Sequence, residues 1–273
     1  MKKFTEKKHI KQLILQIVLV ICIVSVVIFA GMLTRELLIN QQSQSFYAGL
    51  LSNIETYPRN PGQGGQGNGS TDPGGPGLHG DHRDLRGEWR PYVDFDVLNE
   101  RFPGITAWIK SPNGEIDYPV MQHTNNTYFL GRLPDGSDHR SGSIFMDYRS
   151  SSDFSDKSIL IYGHESHEKE MFGSLKHYRN QTYFAENPVI YLYTPFGDFE
   201  IVIFAVHLAH SQRDYPPINF ASDDAFLEYI EHIRSISLIN SDVKISAGEQ
   251  IVSLCTCAYD FDEARLVVVG VLR

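Results

Sequence analysis

From Leu13 to Leu33 the chain holds 21 positions interrupted only by Gln16, Ser25 and Gly31. In hydrocarbon every backbone N–H and C=O must be satisfied within the segment, which leaves a helix as the form open to a lone apolar run. At 1.5 Å per residue such a run reaches about 30 Å, the thickness of a bilayer core. Residues 13–33 are therefore predicted to form a transmembrane helix. Lys2, Lys3, Lys7, Lys8 and Lys11 precede it against a single Glu6, whereas Arg35 and Glu36 cancel after it. The positive-inside bias places residues 1–12 in the cytoplasm and the rest of the chain outside the cell. The competing reading is a cleaved signal peptide with Ala30 at the cut, but the run exceeds the usual apolar region of about 7–15 residues.

Beyond the membrane run, residues 34–83 read as stalk and linker. Scattered apolar residues between Thr34 and Tyr57 suit a helical stalk. From Pro58 to Gly80 nine glycines alternate with prolines and polar residues. A segment of that composition buries too little apolar surface to offset its ordering entropy, so a flexible tether is expected. About 23 residues of such chain span roughly 25–30 Å in root-mean-square terms.

Residues 84–273 read as one mainly β domain. Eight short runs carry strand formers: Ile105 to Lys110, Ile116 to Met121, Ser143 to Asp147, Ser158 to Tyr162, Val189 to Tyr193, Phe199 to Leu208, Gln250 to Cys257 and Arg265 to Leu272. The first two flank a Ser111-Pro112-Asn113-Gly114 turn and predict a hairpin. Several strands adjoin without an intervening helix, which favours a closed β-barrel over a parallel βαβ sheet. Peripheral helices are expected at Asp94 to Arg101, at Glu168 to Tyr178 and at Ser222 to Ile236. The last has an N-cap serine, two aspartates in its first turn, and Phe226, Tyr229, Ile230 and Ile233 on one face.

Five lysines against Glu6 put +4 on the first 11 residues, so the chain's net −9 leaves −13 on the other 262. That balance argues against nucleic acid as a partner. Cys22 lies in the membrane run, and Cys255 and Cys257 are the remaining thiols. So few cysteines do not staple an extracellular domain. No second Cys/His pair lies near them to complete a zinc site, so no metal or other cofactor is expected.

The chemistry sits at strand ends. Cys257 closes one apolar run and Arg265 opens the next, while His164 follows the run that ends at Tyr162 and Gly163. A thiol attacks carbonyls as thiolate, which needs a proton partner, and the oxyanion that results needs a cationic or N–H donor. Imidazole, thiol and guanidinium at one rim would supply the parts of a cysteine acyl-transfer site. The alternatives are a small buried cysteine, a structural histidine, and an arginine paired with Asp262 or Glu263. His123, His167, His177, His207 and His210 compete with His164, the last two reading as rim positions.

These residues resemble a known family. Ser253-Leu254-Cys255-Thr256-Cys257 is similar to the Thr-Leu-x-Thr-Cys signature of sortases, the membrane-anchored cysteine transpeptidases of Gram-positive bacteria, and class B is the best match. Supporting stretches are Gly142 to Asp147, Tyr162-Gly163-His164 with Met171-Phe172 and Leu175 downstream, Asn187-Pro188 with Ile190 and Leu192-Tyr193, and Ala264 to Val268. The similarity spans roughly residues 92 to 273.

The resemblance implies a β-barrel with peripheral helices and three catalytic residues: Cys257 as nucleophile, His164 as acid and base, Arg265 on the oxyanion or substrate. It implies partners as well, namely surface proteins with a C-terminal sorting signal and an amine acceptor from peptidoglycan precursor (lipid II) or a pilin lysine. Cys255 occupies the signature's variable slot with a packing or pocket-lining role, and Thr256 and Cys255 are carried as substrate-binding positions. Two residues depart from the pattern: Ser253 replaces threonine, and Glu165 stands where class B members commonly have asparagine. A carboxylate there would favour imidazolium if it turned toward His164. A peptidase that lets water resolve the thioester, and a non-catalytic β-barrel assembly domain, are the competing functions.

Overall fold

A computed structural model of the chain describes residues 2–52, 93–165, 170–214 and 216–273. Its contacts divide the chain into two compact units, residues 1–50 and 51–273. The first is one helix, α1 (Lys2–Ser52). By length and composition it can cross a membrane once. From Leu15 to Leu38 its large apolar side chains are all exposed, as a lipid-facing helix requires. The run 13–33 lies inside α1, and the helix continues through the first part of the expected stalk. The Pro58 to Gly80 tether and the domain's first residues, 84–92, lie outside the described residues.

The second unit is a closed eight-stranded barrel. Its strands are β1 (Ile105–Lys110), β2 (Asp117–Met121), β3 (Ile144–Met146), β4 (Ser158–Tyr162), β5 (Val189–Thr194), β6 (Gly197–His210), β7 (Gln250–Cys257) and β8 (Ala264–Leu272). They close in the order β1-β2-β3-β4-β7-β8-β6-β5. All eight expected strands are present. The β1–β2 turn forms as the Asn-Gly pair dictates: the Gly114 N–H donates to the Ser111 carbonyl at 3.0 Å, and Gly114 takes φ +75°, open to a residue without Cβ.

Two neighbouring pairs, β2 with β3 and β4 with β7, run parallel, and the others antiparallel. Because β4 and β7 share a direction, both end at the same rim. Antiparallel β8 begins there.

Among the described residues three α-helices accompany the barrel: α2 (Phe95–Arg101), α3 (Gln181–Glu186) and α4 (Asp223–Ser235). Asp94 caps α2 by accepting from the Val97 N–H, and Ser222 caps α4 by accepting from the Ala225 N–H. Phe226, Ile230 and Ile233 of α4 bury completely against the outer faces of β4, β6, β7 and β8, where Leu160, Phe204, Ile251 and Val267 meet them. Burying each such side chain contributes roughly 1.5–3 kcal/mol, so α4 is held mainly by this stripe.

The α-helix expected at 168–178 is not what the chain forms. Residues 166–169 lie outside the described residues, Met171 adopts φ +53°, and a 3-10 helix, Gly173–Arg179, follows. A left-handed residue and a glycine at its start prevent an α-helical turn from propagating. Met171, Phe172, Leu175 and Tyr178 are nonetheless buried, as the apolar spacing required.

Candidate active site

Residues 251, 253, 255 and 257 alternate onto one face of β7, the outer face beneath α4, as the packing of Ile251 and Cys255 with that helix shows. Val252 and Leu254 point the other way and are fully buried. Cys257 ends this outer row, half-buried at the rim. Across the antiparallel pair its Cα partner is Arg265, and on the far side Arg265 faces Ala209 of β6. In the parallel pair Tyr162 stands opposite Cys255, and the Gly163 N–H donates to the Cys255 carbonyl at 3.1 Å. β7 ends two residues on at Cys257, and the chain leaves β4 through Gly163 to reach His164, which lines the same groove.

His164, Cys257 and Arg265 thus line one groove of about 220 Å³, with Leu130, Tyr162 and His210 among the other walls. Cys255 and Thr256 also line it, although Cys255 is only 5% exposed and Thr256 only 2%. Burial pushes the Cys255 thiol up to about 12, so it stays protonated at neutral pH and is no nucleophile. Of the two groove cysteines, Cys257 is the one open to solvent.

The His164 Nε2 lies 2.7 Å from the Leu130 carbonyl oxygen. A carbonyl only accepts, so Nε2 carries a proton, and Nδ1 is the nitrogen that gains or loses one while this contact holds. Leu130 gave no signal in the sequence, since the contact is made by backbone. Glu165 is paired with a lysine: its Oε1 accepts from Lys176 Nζ at 3.1 Å.

Arg265 keeps the local pairing the sequence offered, with its guanidinium 3.6 Å from the Glu263 carboxylate and a hydrogen bond to the Ala264 carbonyl at 2.9 Å. The same Glu263 carboxylate accepts from the Ser211 hydroxyl at 2.6 Å. That bond, with Arg265 beside it, holds the Glu263 carboxyl below the ordinary range. The loop between β7 and β8 is tied from outside by Arg179, which donates two hydrogen bonds to Asp260, at 2.9 and 2.6 Å.

The other histidines have separate settings. His210 lines the groove and stacks on Phe261. His207 is no rim residue: it is 4% exposed within β6, and burial lowers its pKa. His177 sits by Glu115 and Tyr183, and His123 stacks on Tyr128. His167 lies outside the described residues. Among the described residues no group of His, Cys, Asp and Glu has the arrangement of a metal site.

No protein-family model matches the chain. Individual proteins do. A sortase B of Listeria monocytogenes is 31% identical over 191 residues, covering 69% of this chain and 76% of that protein. Among solved structures, a Clostridium perfringens sortase B superposes with a TM-score of 0.63 at 29% identity, over 66% of this chain and all of that one. A Staphylococcus aureus sortase B–substrate complex superposes with a TM-score of 0.62 at 27% identity, over 66% of this chain and 84% of that one.

Proposed function

This chain belongs to the sortase B family of membrane-anchored cysteine transpeptidases, and from that premise we propose that Cys257, His164 and Arg265 carry its acyl transfer. The Cys257 thiolate attacks the carbonyl carbon of the threonine in a C-terminal sorting motif. Arg265 and backbone N–H groups hold the oxyanion, and His164 gives a proton to the departing amine as the C–N bond breaks. An amine from peptidoglycan precursor or a pilin lysine then attacks the thioester and gives its proton back to His164. A new amide forms and the thiolate is restored.

The observation that carries this reading is the register: parallel β4·β7 and antiparallel β7·β8 bring the three groups to one groove. In the same reading residues 1–12 are cytoplasmic, 13–33 cross the membrane, 34–83 form the stalk and tether, and 84–273 act outside. Substrates are surface proteins with sorting signals.

The test is to incubate the full chain in detergent micelles with a panel of Asn-Pro-x-Thr and Leu-Pro-x-Thr peptides and weigh the intact protein. A covalent adduct of the N-terminal peptide fragment is expected, absent from Cys257→Ala, and released as a new amide when a peptidoglycan-type amine is added. Adduct formation in Cys257→Ala would overturn the assignment. Hydrolysis indifferent to added amine would mark a peptidase instead.

A further inference from the structure

Asp147, directly after β3, is a fully buried carboxylate beside the groove. Its Oδ1 accepts from the Arg149 backbone N–H and Nε, each at 2.9 Å, and its Oδ2 accepts from Arg149 Nη2 at 3.2 Å. The same Oδ2 accepts from the Tyr162 hydroxyl at 3.0 Å and from Asn126 Nδ2 at 3.1 Å. Tyr162 and Asn126 both line the groove, and Tyr162 stands two residues before His164. A buried charge is costly to desolvate, and Arg149 supplies its counter-ion. Arg149 alone does not require the carboxylate to reach the two groove residues.

What Asp147 does to them follows from proton counting. A phenol has one proton, and Tyr162 donates it to Asp147; any group that meets its oxygen from the groove must therefore be a donor. The Asn126 amide is fixed at both ends, because its Oδ1 also accepts from the Tyr148 N–H at 2.9 Å. Neither side chain is able to reverse its polarity without breaking a hydrogen bond. The Asp147 backbone is held in turn, its carbonyl accepting from Gln122 Nε2 at 3.0 Å.

We propose that Asp147 is a positioning residue that sets the hydrogen-bond polarity of the groove wall beside His164, so that the Tyr162 oxygen accepts from an N–H of the sorting peptide. This rests on the peptide-transferase reading above. In Asp147→Asn the amide oxygen stays toward the Arg149 N–H and Nε, which puts the NH2 where Oδ2 was; that NH2 donates to the phenol oxygen, the phenol turns its proton into the groove, and the wall presents a donor where an acceptor belongs. Tyr162→Phe removes the acceptor outright.

The test uses the full chain in micelles with the sorting peptide that gives the adduct. Asp147→Asn and Tyr162→Phe are each expected to raise KM about tenfold while changing kcat less than about twofold, as loss of one hydrogen bond made equally in ground and transition states does. The double variant should be no worse than Tyr162→Phe, because both changes remove one interaction. Alkylation of Cys257 by iodoacetamide should keep its rate in Asp147→Asn. An unchanged KM, multiplying losses in the double variant, or a parallel fall in alkylation would overturn the proposal, the last by showing a general loss of structure. A readout without substrate separates this from failure of the peptide-transferase reading: in 15N-labelled protein the Asn126 side-chain amide should shift downfield and move in Asp147→Asn. If no peptide forms an adduct with the unaltered chain, the peptide-transferase reading falls; an Asn126 resonance that does not move overturns the role of Asp147 itself.

Discussion

Two thiols two residues apart share a strand face, yet only one is open to solvent. Cys255 lies under α4 and stays a thiol; Cys257 is one step further out, beside Arg265. At pH 7.5 a small alkylating reagent should label Cys257 first, Cys255→Ala should keep most of that rate, and mapping by peptide mass decides it; preferential labelling of Cys255 would contradict the assignment. Arg265 tests geometry as much as charge. Lysine keeps the charge but loses the planar fork, so Arg265→Lys should lower kcat/KM by about 10²–10³-fold, the scale for losing one oxyanion donor, with Cys257 alkylation still measurable. Much of this site was legible as residue types at strand ends: the cysteine, the histidine after a glycine, the arginine eight positions on. Leu130 was not legible, because its contribution is a carbonyl that any residue supplies. Asp147 was hidden differently, since nothing in the order of residues announces that a carboxylate is fully buried under a tyrosine 15 positions later.

Strands were the most readable elements because they are runs of strand formers bounded by turn residues, and a period of two puts Leu254 and Cys257 on opposite faces. Their neighbours were not readable: alternation says which face a residue takes but not which strand lies beside it, so the parallel β4·β7 pair emerges only in three dimensions. The segment before Arg179 misled for a related reason, as buried residues at helical spacing also suit a 3-10 turn entered from a left-handed Met171. Gly163 joins β4 to His164, and a Cβ there would come within 2.7 Å of the fully buried Phe172 ring. Gly163→Ala should therefore cost about 1–3 kcal/mol in unfolding experiments and reduce kcat/KM by displacing His164. His207, whose pKa burial lowers, should make the fold sensitive to acid. Its folded pKa lies below the unfolded value of about 6.5, so the unfolded state takes up a proton first as pH falls, and stability present above that value is lost below it. His232 adds to the depression and Asp214 opposes it. The melting temperature should drop between about pH 7 and 5, less steeply in His207→Phe; equal slopes in the two proteins would exclude His207 as the source.

At the scale of the whole molecule, α1 and the barrel belong to different solvents. The −13 outside the first 11 residues favours solubility of the larger part, and in the proposed reading the anchor raises its effective concentration toward membrane-held substrates. Deleting residues 58–80 should leave transfer on soluble peptides unchanged and slow transfer on vesicle-anchored substrates several-fold, through loss of effective concentration; equal slowing of both would place those residues in the catalytic unit. The parallel pairing of β4 with β7 reaches furthest. Its last rung pairs Tyr162 with Cys255, two residues before His164 and Cys257 respectively, so in the proposed reading the spacing of imidazole and thiol is set from a shared ladder. An altered rim loop would then leave that spacing in place, because the ladder and not the loop sets it.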